Sequence, residues 1–150
     1  MARDTLFRNP LANWILRSWN CVPISRDRAD IGAMRVVLRM LGEGKAVLMF
    51  PEGTRSSDGQ LQEPHAGIGM IAARARVPIV PMRIFGTEQA LPRGARVPRP
   101  ARVQIKFGEP FVYPLPAAVD ELRGDPLKAV YLDIGREIMR RIAALEPRTE

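Results

Sequence analysis

The sequence lacks the residues from which disulfide bonds and most metal sites are built. Among its 150 residues there is one cysteine, Cys21, and one histidine, His65. A single thiol cannot form an internal disulfide or a cysteine cluster, and one histidine beside it offers no ligand set for a metal. We therefore expect neither a structural disulfide nor a bound metal, and the low cysteine content fits a reducing compartment.

Long apolar runs are also missing. No stretch approaches the roughly 18 apolar residues that a membrane-spanning helix requires. The N-terminal run MARDTLFRNP contains no apolar segment of the kind that signal peptides carry. The chain as given is therefore expected to be soluble or peripheral to a membrane.

Lysine is scarce, whereas arginine is abundant. Lysine occurs only at positions 45, 106 and 128, although lysine and arginine together number 23 and the formal net charge is +7. Arginine suits phosphate because its planar guanidinium donates two parallel hydrogen bonds. The charge favours an anionic partner such as phospholipid, a phosphorylated substrate or nucleic acid. The alternative is a solvated basic surface without a specific ligand.

Apolar periodicity alternates between strand and helix along the chain. Strands are predicted at 21–24, 45–50, 77–85 and 102–108, and helices at about 9–20, 30–41, 67–75 and 125–145. Asn9, Asp30 and Asp125 are the expected N-caps of three of these helices. The alternation predicts a single α/β domain over residues 1–150, with a mostly parallel central sheet flanked by helices.

The run VLMFPEGTRSSDG, residues 47–59, changes abruptly from apolar to polar. Ligands of open α/β sheets bind beyond the carboxyl ends of the strands, and this loop follows a predicted strand. Gly53 allows backbone N–H groups to approach an anion, Thr54 adds a hydroxyl group, and Arg55 adds a bidentate cation. Glu52 repels phosphate, so we expect it to hold an arginine or a backbone N–H in place. The alternative is an ordinary surface turn, which favours the same residue types.

Five segments of the chain resemble the glycerolipid acyltransferases, the PlsC or 1-acylglycerol-3-phosphate acyltransferase family. FPEGTRS (50–56) is similar to the third signature block of that family, VPIVPM (77–82) to the fourth, and VPISR (22–26) to the second. HAGIGMIA (65–72) and VQIKFGEP (103–110) also resemble family sequence in the expected order. The resemblance covers the chain as far as about residue 110 and implies a glycerol-3-phosphate acyltransferase-like fold.

The resemblance implies transfer of a fatty acyl group from acyl-CoA or acyl-carrier protein to the free hydroxyl of lysophosphatidic acid, without a cofactor. It also implies that Arg26, Glu52, Gly53 and Arg55 shape the site for the phosphate of the acceptor. The hydroxyl group of Thr54 adds a further donor to that site. Without the resemblance, Arg26 is better explained as a surface arginine paired with a neighbouring aspartate. A peripheral location on the cytoplasmic side of an anionic membrane is a further expectation.

The catalytic base of that family is missing from this sequence. The family uses His-x-x-x-x-Asp to take the proton of the acceptor hydroxyl, but His65 lies after the third block and the position of the aspartate holds Met70. We therefore expect His65 to be an exposed loop residue and no catalytic residue to lie within the chain. The simplest hypothesis is a truncated chain with little or no turnover of its own. The reading frame upstream of Met1 should then encode a strand and the missing motif.

Two other functions remain open from the sequence. One is a non-enzymatic module for anionic lipid or a membrane surface, with Trp14, Trp19, Arg8 and Arg17 at the headgroups. We expect instead that both tryptophans pack in the core. The other is nucleic-acid binding through the arginine-rich loop at 93–102. Aromatic residues are not interleaved with these arginines, so no nucleic-acid partner is expected.

Overall fold

The computed structural model describes residues 2–3, 7–24, 31–54, 60–92, 94–95 and 97–148. The chain forms two compact units, Met1–Phe50 and Pro51–Glu150. The described elements are β1 (Ala2–Arg3), α1 (Pro10–Ser18), β2 (Pro23–Ile24), α2 (Ile31–Gly42), α3 (Ala66–Ala75), β3 (Met82–Phe85), α4 (Thr87–Ala90), β4 (Gln104–Phe107) and α5 (Gly124–Ala143). Helices and short strands alternate except between α2 and α3, and this mixture agrees with the predicted α/β class.

Helix α1 begins where the sequence predicts. Asn9 is its N-cap, and the side-chain Oδ1 accepts hydrogen bonds from the backbone N–H groups of Leu11 at 3.0 Å and Ala12 at 3.2 Å. Pro10 occupies the start of the helix, where the absence of an N–H leaves no intrahelical bond unmade. The predicted cap is therefore confirmed.

The first unit contains a small parallel sheet. Strands β1 and β2 pair in parallel, with Ala2 opposite Pro23, so the strand predicted at 21–24 is confirmed over its second half. Helix α2 then buries Val37 completely. Asp30, the predicted cap of α2, lies outside the described residues.

Residues 45–50 do not form the strand that their apolar run predicts. They belong to neither of the ladders in the described chain, and Leu48 and Phe50 are each 56% exposed. A continuous apolar run is typical of a strand covered on both faces, but these side chains lack that cover. The strand prediction is therefore wrong at this segment.

Both tryptophans of the first unit are exposed, Trp14 at 70% and Trp19 at 73%. The expectation that they pack in the core is therefore wrong. Helical periodicity explains the exposure of Trp14, because this residue lies on the side of α1 away from Leu16. Leu16 is half-buried, whereas Trp14 faces solvent.

The core of the second unit lies where α3 packs against α5. Ile134, Ile138 and Ile142 form a buried stripe along α5, as their spacing of four residues in the sequence predicts. A Cβ atom added to Gly69 of α3 would lie 1.8 Å from the carbonyl oxygen of Tyr131. The two helices are therefore closer at this point than any residue with a side chain would allow.

Helix α5 begins at Gly124, and its N-cap is Arg123, whose side chain makes no capping hydrogen bond. The predicted cap, Asp125, lies instead in the first turn, where its carboxylate interacts favourably with the positive end of the helix. The cap prediction is therefore wrong, although the helix itself is confirmed. No described helix, the 20-residue α5 included, has the length and apolar character needed to cross a membrane.

Strands β3 and β4 of the second unit pair antiparallel, with Met82 opposite Phe107. The strand predicted at 77–85 is shorter in the structure, because β3 starts directly after Pro81, which has no N–H to donate to a ladder. The connection between the two strands contains the short helix α4, which the sequence did not predict. This pair is antiparallel, whereas the sequence predicts a mostly parallel sheet.

Candidate phosphate-binding site

The polar loop that starts at Pro51 folds back onto the segment that precedes α3. The backbone N–H of His65 donates a hydrogen bond to the carbonyl oxygen of Pro51 at 3.0 Å. The backbone N–H of Gln62 donates to Oε2 of Glu52 at 2.9 Å. These two hydrogen bonds tie the start of the loop to residues 62–65.

Glu52 therefore has a structural partner within the loop. The sequence left three partners open for its carboxylate, namely Arg26, Arg55 or a backbone N–H, and the structure shows a backbone N–H, that of Gln62. A hydrogen bond to an ionised acceptor is stronger than one between neutral groups. The carboxylate thus holds the loop together, which explains why an acid stands beside a candidate anion site.

Gly53 adopts a backbone conformation that favours glycine. Its φ is +61°, and a Cβ atom at this position would lie 2.7 Å from Cδ2 and 3.0 Å from Nε2 of His65. The imidazole ring therefore lies directly against the backbone of Gly53. Both the left-handed φ and the close ring favour glycine here.

His65 also marks the N-terminus of α3. It is the N-cap residue of that helix, and its side chain makes no capping hydrogen bond. The N–H groups in the first turn of a helix have no partner within the helix, and the helix dipole places a partial positive charge there. Because His65 contacts Gly53, the loop lies beside the positive end of α3.

The segment in front of α3 is anchored to the core of the second unit. Leu61 packs against the buried cluster that α3 and α5 share. A Cβ atom on Gly135 of α5 would lie 3.2 Å from Cβ and Cγ of Pro64, so the chain just before His65 also contacts α5. The loop is therefore tied to a packed segment and not to a second free loop.

The structure describes three of the five predicted site residues. Glu52, Gly53 and Thr54 lie together in the loop, and Thr54 is exposed. Arg26 and Arg55 lie outside the described residues. Their roles as phosphate ligands stay predictions from the family resemblance.

Sequence reasoning missed the contact between His65 and Gly53. The expectation that His65 is exposed is confirmed, but the residue caps a helix and contacts the predicted phosphate loop. A signal was present, because His65 directly precedes the apolar residues of α3 and follows Pro64, a residue that commonly marks a helix start. That signal predicts the place of the helix end, but not that the helix end meets Gly53.

A second charged cluster lies on α5, outside this loop. Glu137 accepts hydrogen bonds from Arg140 and from Arg141, each at 2.7 Å. These bonds, the one from Arg140 first, lower the pKa of Glu137 to about 2. Arg141 also stacks on the ring of Phe111, 3.9 Å from its centroid. The guanidinium groups therefore have partners within the protein, and the cluster is structural.

The family to which this chain belongs is the acyltransferase family. The Acyltransferase family model matches residues 1–85, which is more than half of the chain. The match includes the loop with Glu52, Gly53 and Thr54 and the whole of α3.

Named relatives and a solved structure agree with this assignment. The chain is 32% identical over 97 residues to a chloroplastic 1-acyl-sn-glycerol-3-phosphate acyltransferase of Brassica napus. It is 32% identical over 130 residues to an N-acylphosphatidylethanolamine synthase of Arabidopsis thaliana. The crystal structure of the 1-acyl-sn-glycerophosphate (LPA) acyltransferase PlsC from Thermotoga maritima matches with a TM-score of 0.64 and 28% identity. This match confirms the predicted α/β acyltransferase-like fold.

The chain spans only part of each of these proteins. The matches cover 63% of this chain and 28% of the Brassica relative, and 79% of this chain and 46% of the Arabidopsis relative. The Thermotoga match covers 98% of this chain and 57% of that one. The activities in these names therefore belong to longer chains.

Proposed function

We propose that the chain is part of a 1-acyl-sn-glycerol-3-phosphate acyltransferase, which acylates the free hydroxyl of lysophosphatidic acid in phospholipid synthesis. Family membership and the names of the relatives support this reaction class. The observation that carries the proposal is the loop at Gly53, held against His65 at the N-terminus of α3. A phosphate headgroup is the ligand that such an arrangement favours.

Three kinds of donor would bind the phosphate. Gly53 exposes backbone N–H groups, the exposed Thr54 supplies a hydroxyl, and the end of α3 supplies a partial positive charge. Arg55 and Arg26, which the family resemblance assigns to the same phosphate, would add charge-assisted hydrogen bonds. Glu52 would not touch the phosphate, because its role is to hold the loop through Gln62.

The chemical step needs a group that this chain does not offer. The hydroxyl oxygen of the acceptor attacks the thioester carbonyl, the sulfur leaves, and a base removes the hydroxyl proton. His65 lacks the aspartate of the family motif, since Met70 stands at that place. We assign the base to residues outside these 150 positions, so that this chain binds and positions the acceptor.

The remaining partners follow from the chemistry of the substrates. The acyl donor is a thioester of CoA or of acyl-carrier protein, and the acceptor comes from an anionic membrane. The net charge of +7 favours association with such a membrane. A peripheral location on its cytoplasmic side is part of the same proposal.

A binding experiment tests the phosphate site without requiring catalysis. Isothermal titration of the chain with a short-chain, soluble lysophosphatidate should show binding, whereas the matching monoacylglycerol, which lacks the phosphate, should not bind. Gly53→Ala should weaken binding about tenfold, because one donor is misplaced. Gly124→Ala is the matched control, since Gly124 has the same φ of +61° and no neighbour within 4 Å of an added Cβ. Equal binding of both lipids would contradict the proposal.

A turnover experiment tests the assignment of the base and of the acceptor. With radiolabelled acyl-CoA and lysophosphatidate, the 150-residue chain alone should show little or no product. Robust turnover would refute the assignment of the base outside the chain. Turnover with phosphatidylethanolamine in place of lysophosphatidate would instead overturn the proposed acceptor in favour of the chemistry named for the Arabidopsis relative.

A further inference from the structure

Helix α1 exposes an unusual amount of apolar surface. Leu11 is 67% exposed, Trp14 is 70% exposed, and Trp19, directly after the helix, is 73% exposed. Leu11 and Trp14 are three positions apart, so they share one face of the helix, and Arg17 extends the same row. Exposed apolar clusters of this kind mark surfaces that meet another molecule or a membrane.

The described residues of α1 and α2 carry charge of one sign. Residues 7–24 and 31–42, which include α1 and α2, contain four arginines and no acidic residue. Arg8 and Arg17 flank the exposed apolar residues, and Nε of Arg17 donates to Oδ1 of Asn13 at 2.8 Å. This hydrogen bond orients the guanidinium without neutralising it. Among the described residues, the surface therefore combines tryptophans with positively charged arginines.

An apolar groove continues this surface within the same unit. It has a volume of about 570 Å³ and is lined by Arg17, Val22, Val36 and Met40, among other residues. The groove thus carries apolar lining from the end of α1 to the exposed side of α2.

We propose that the tryptophan face of α1, formed by Leu11, Trp14 and Trp19 with Arg8 and Arg17, docks on an anionic phospholipid surface. The choice of lipid as partner rests on the proposed function, but the surface lies outside the loop at Gly53. Tryptophan prefers the boundary between headgroups and acyl chains, because its ring is apolar and its N–H is polar. Arginine adds attraction to anionic headgroups. The combination of tryptophan with arginine on the described residues of this face favours an anionic membrane over a neutral one.

The two tryptophans allow a direct test. They are the only tryptophans of the chain, so intrinsic fluorescence reports on this surface alone. Vesicles of phosphatidylcholine with phosphatidylglycerol should shift the emission to the blue, and lipids brominated near the headgroups should quench it. Vesicles of pure phosphatidylcholine should have a much smaller effect, and high salt should weaken the response to the anionic vesicles.

Variants locate the contact. Trp14→Ala should lower partitioning into anionic vesicles by roughly tenfold in co-sedimentation, as expected for loss of a large apolar side chain. Arg8→Gln should lower it by roughly fivefold. Trp14→Phe should retain most of the partitioning. Its retention would show that a change at position 14 leaves the chain folded. Phe107→Ala is the matched control, because Phe107 is an exposed aromatic residue of β4, at 67% exposure, and should change nothing.

Several outcomes would overturn the proposal. Vesicle binding without a fluorescence shift would place the contact elsewhere, and equal losses for Trp14→Ala and Phe107→Ala would remove the specificity of the face. A dimer in sedimentation without lipid that Trp14→Ala dissociates would show that a second copy covers the surface. Failure of the docking is distinguishable from failure of the proposed function, because short-chain lysophosphatidate in solution should bind Trp14→Ala and the unaltered chain equally.

Discussion

Gly53→Ala should destabilise the second unit through two separable contributions. Gly53 has a φ of +61°, and an alanine held in that left-handed region costs about 1–2 kcal/mol. The new Cβ would lie 2.7 Å from Cδ2 of His65, so the ring must move. Because the His65 side chain is exposed, its displacement should add only about 1 kcal/mol, at the low end of overpacking costs. We therefore expect a total loss of about 2–3 kcal/mol in the free energy of unfolding.

A double-mutant cycle separates the two contributions. His65→Ala removes the ring, so in that background Gly53→Ala should lose only the free energy of unfolding that comes from the left-handed φ. The coupling energy between the two substitutions should therefore be about 1 kcal/mol. Gly124→Ala provides the control, because Gly124 has the same φ of +61° and nothing within 4 Å of an added Cβ. Its cost should be about 1–2 kcal/mol and should not change when His65 is replaced.

Urea unfolding followed by far-UV circular dichroism measures these energies, since α3 and α5 belong to the unit that contains the loop. Tryptophan fluorescence gives a separate signal for the other unit, because Trp14 and Trp19 lie there. Equal costs for Gly53→Ala with and without the His65 ring would refute the reasoning. That result would show that the ring does not lie against Gly53, and the geometric basis of the phosphate site would be lost.

Gly69→Ala should force α3 and α5 apart, because its Cβ would meet the carbonyl oxygen of Tyr131 at 1.8 Å. Urea unfolding should show a loss of about 2–3 kcal/mol, and a gain from the better helix propensity of alanine would contradict the close crossing. Hydrogen bonds from arginines lower the pKa of Glu137 to about 2 from 4.5, so the stability it contributes is complete above pH 4.5 and is lost as the pH falls towards 2. Glu137→Gln should flatten the pH dependence of unfolding in that window, and an unchanged profile would show that the ion pairs do not form. Glu52→Ala removes the acceptor of the Gln62 N–H, so amide exchange at Gln62 should accelerate about tenfold. An unchanged exchange rate would show that another group protects this amide.

Features that depend on neighbouring residues in the chain could be predicted from the sequence. The cap at Asn9, the start of β3 after Pro81 and the buried stripe of α5 all follow from short-range rules of hydrogen bonding and periodicity. These features need no knowledge of what packs against them.

Features that depend on distant neighbours could not be predicted. An apolar run such as 45–50 predicts a strand only if other elements cover both its faces, and Leu48 and Phe50 are both 56% exposed. The same holds for Trp14 and Trp19, because a large aromatic residue suits a core and an interface equally well. Composition predicts that such side chains seek an apolar partner, but it does not predict whether the partner lies within the chain.

The candidate site also combines features that depend on local sequence with features that depend on distant neighbours. Gly53 and Thr54 could be singled out because their chemistry suits an anion wherever the loop lies. The role of His65 could not, since it depends on α3 starting beside the loop. That placement depends in turn on Gly69, which allows α3 to pack closely on α5.

The acidic residue of the loop is consistent with phosphate binding once these contacts are considered together. A carboxylate about 4 Å from a phosphate charge costs about 1 kcal/mol in water, whereas each hydrogen bond to a charged group contributes about 1.5–3 kcal/mol. Glu52 accepts from Gln62, and the neighbouring Leu61 packs into the core of the second unit. The carboxylate therefore ties Gly53 to a packed segment and keeps its backbone beside the end of α3. Several donors depend on that position of the Gly53 backbone. The hydrogen bond of the Glu52 carboxylate therefore favours phosphate binding by more than the repulsion between carboxylate and phosphate opposes it.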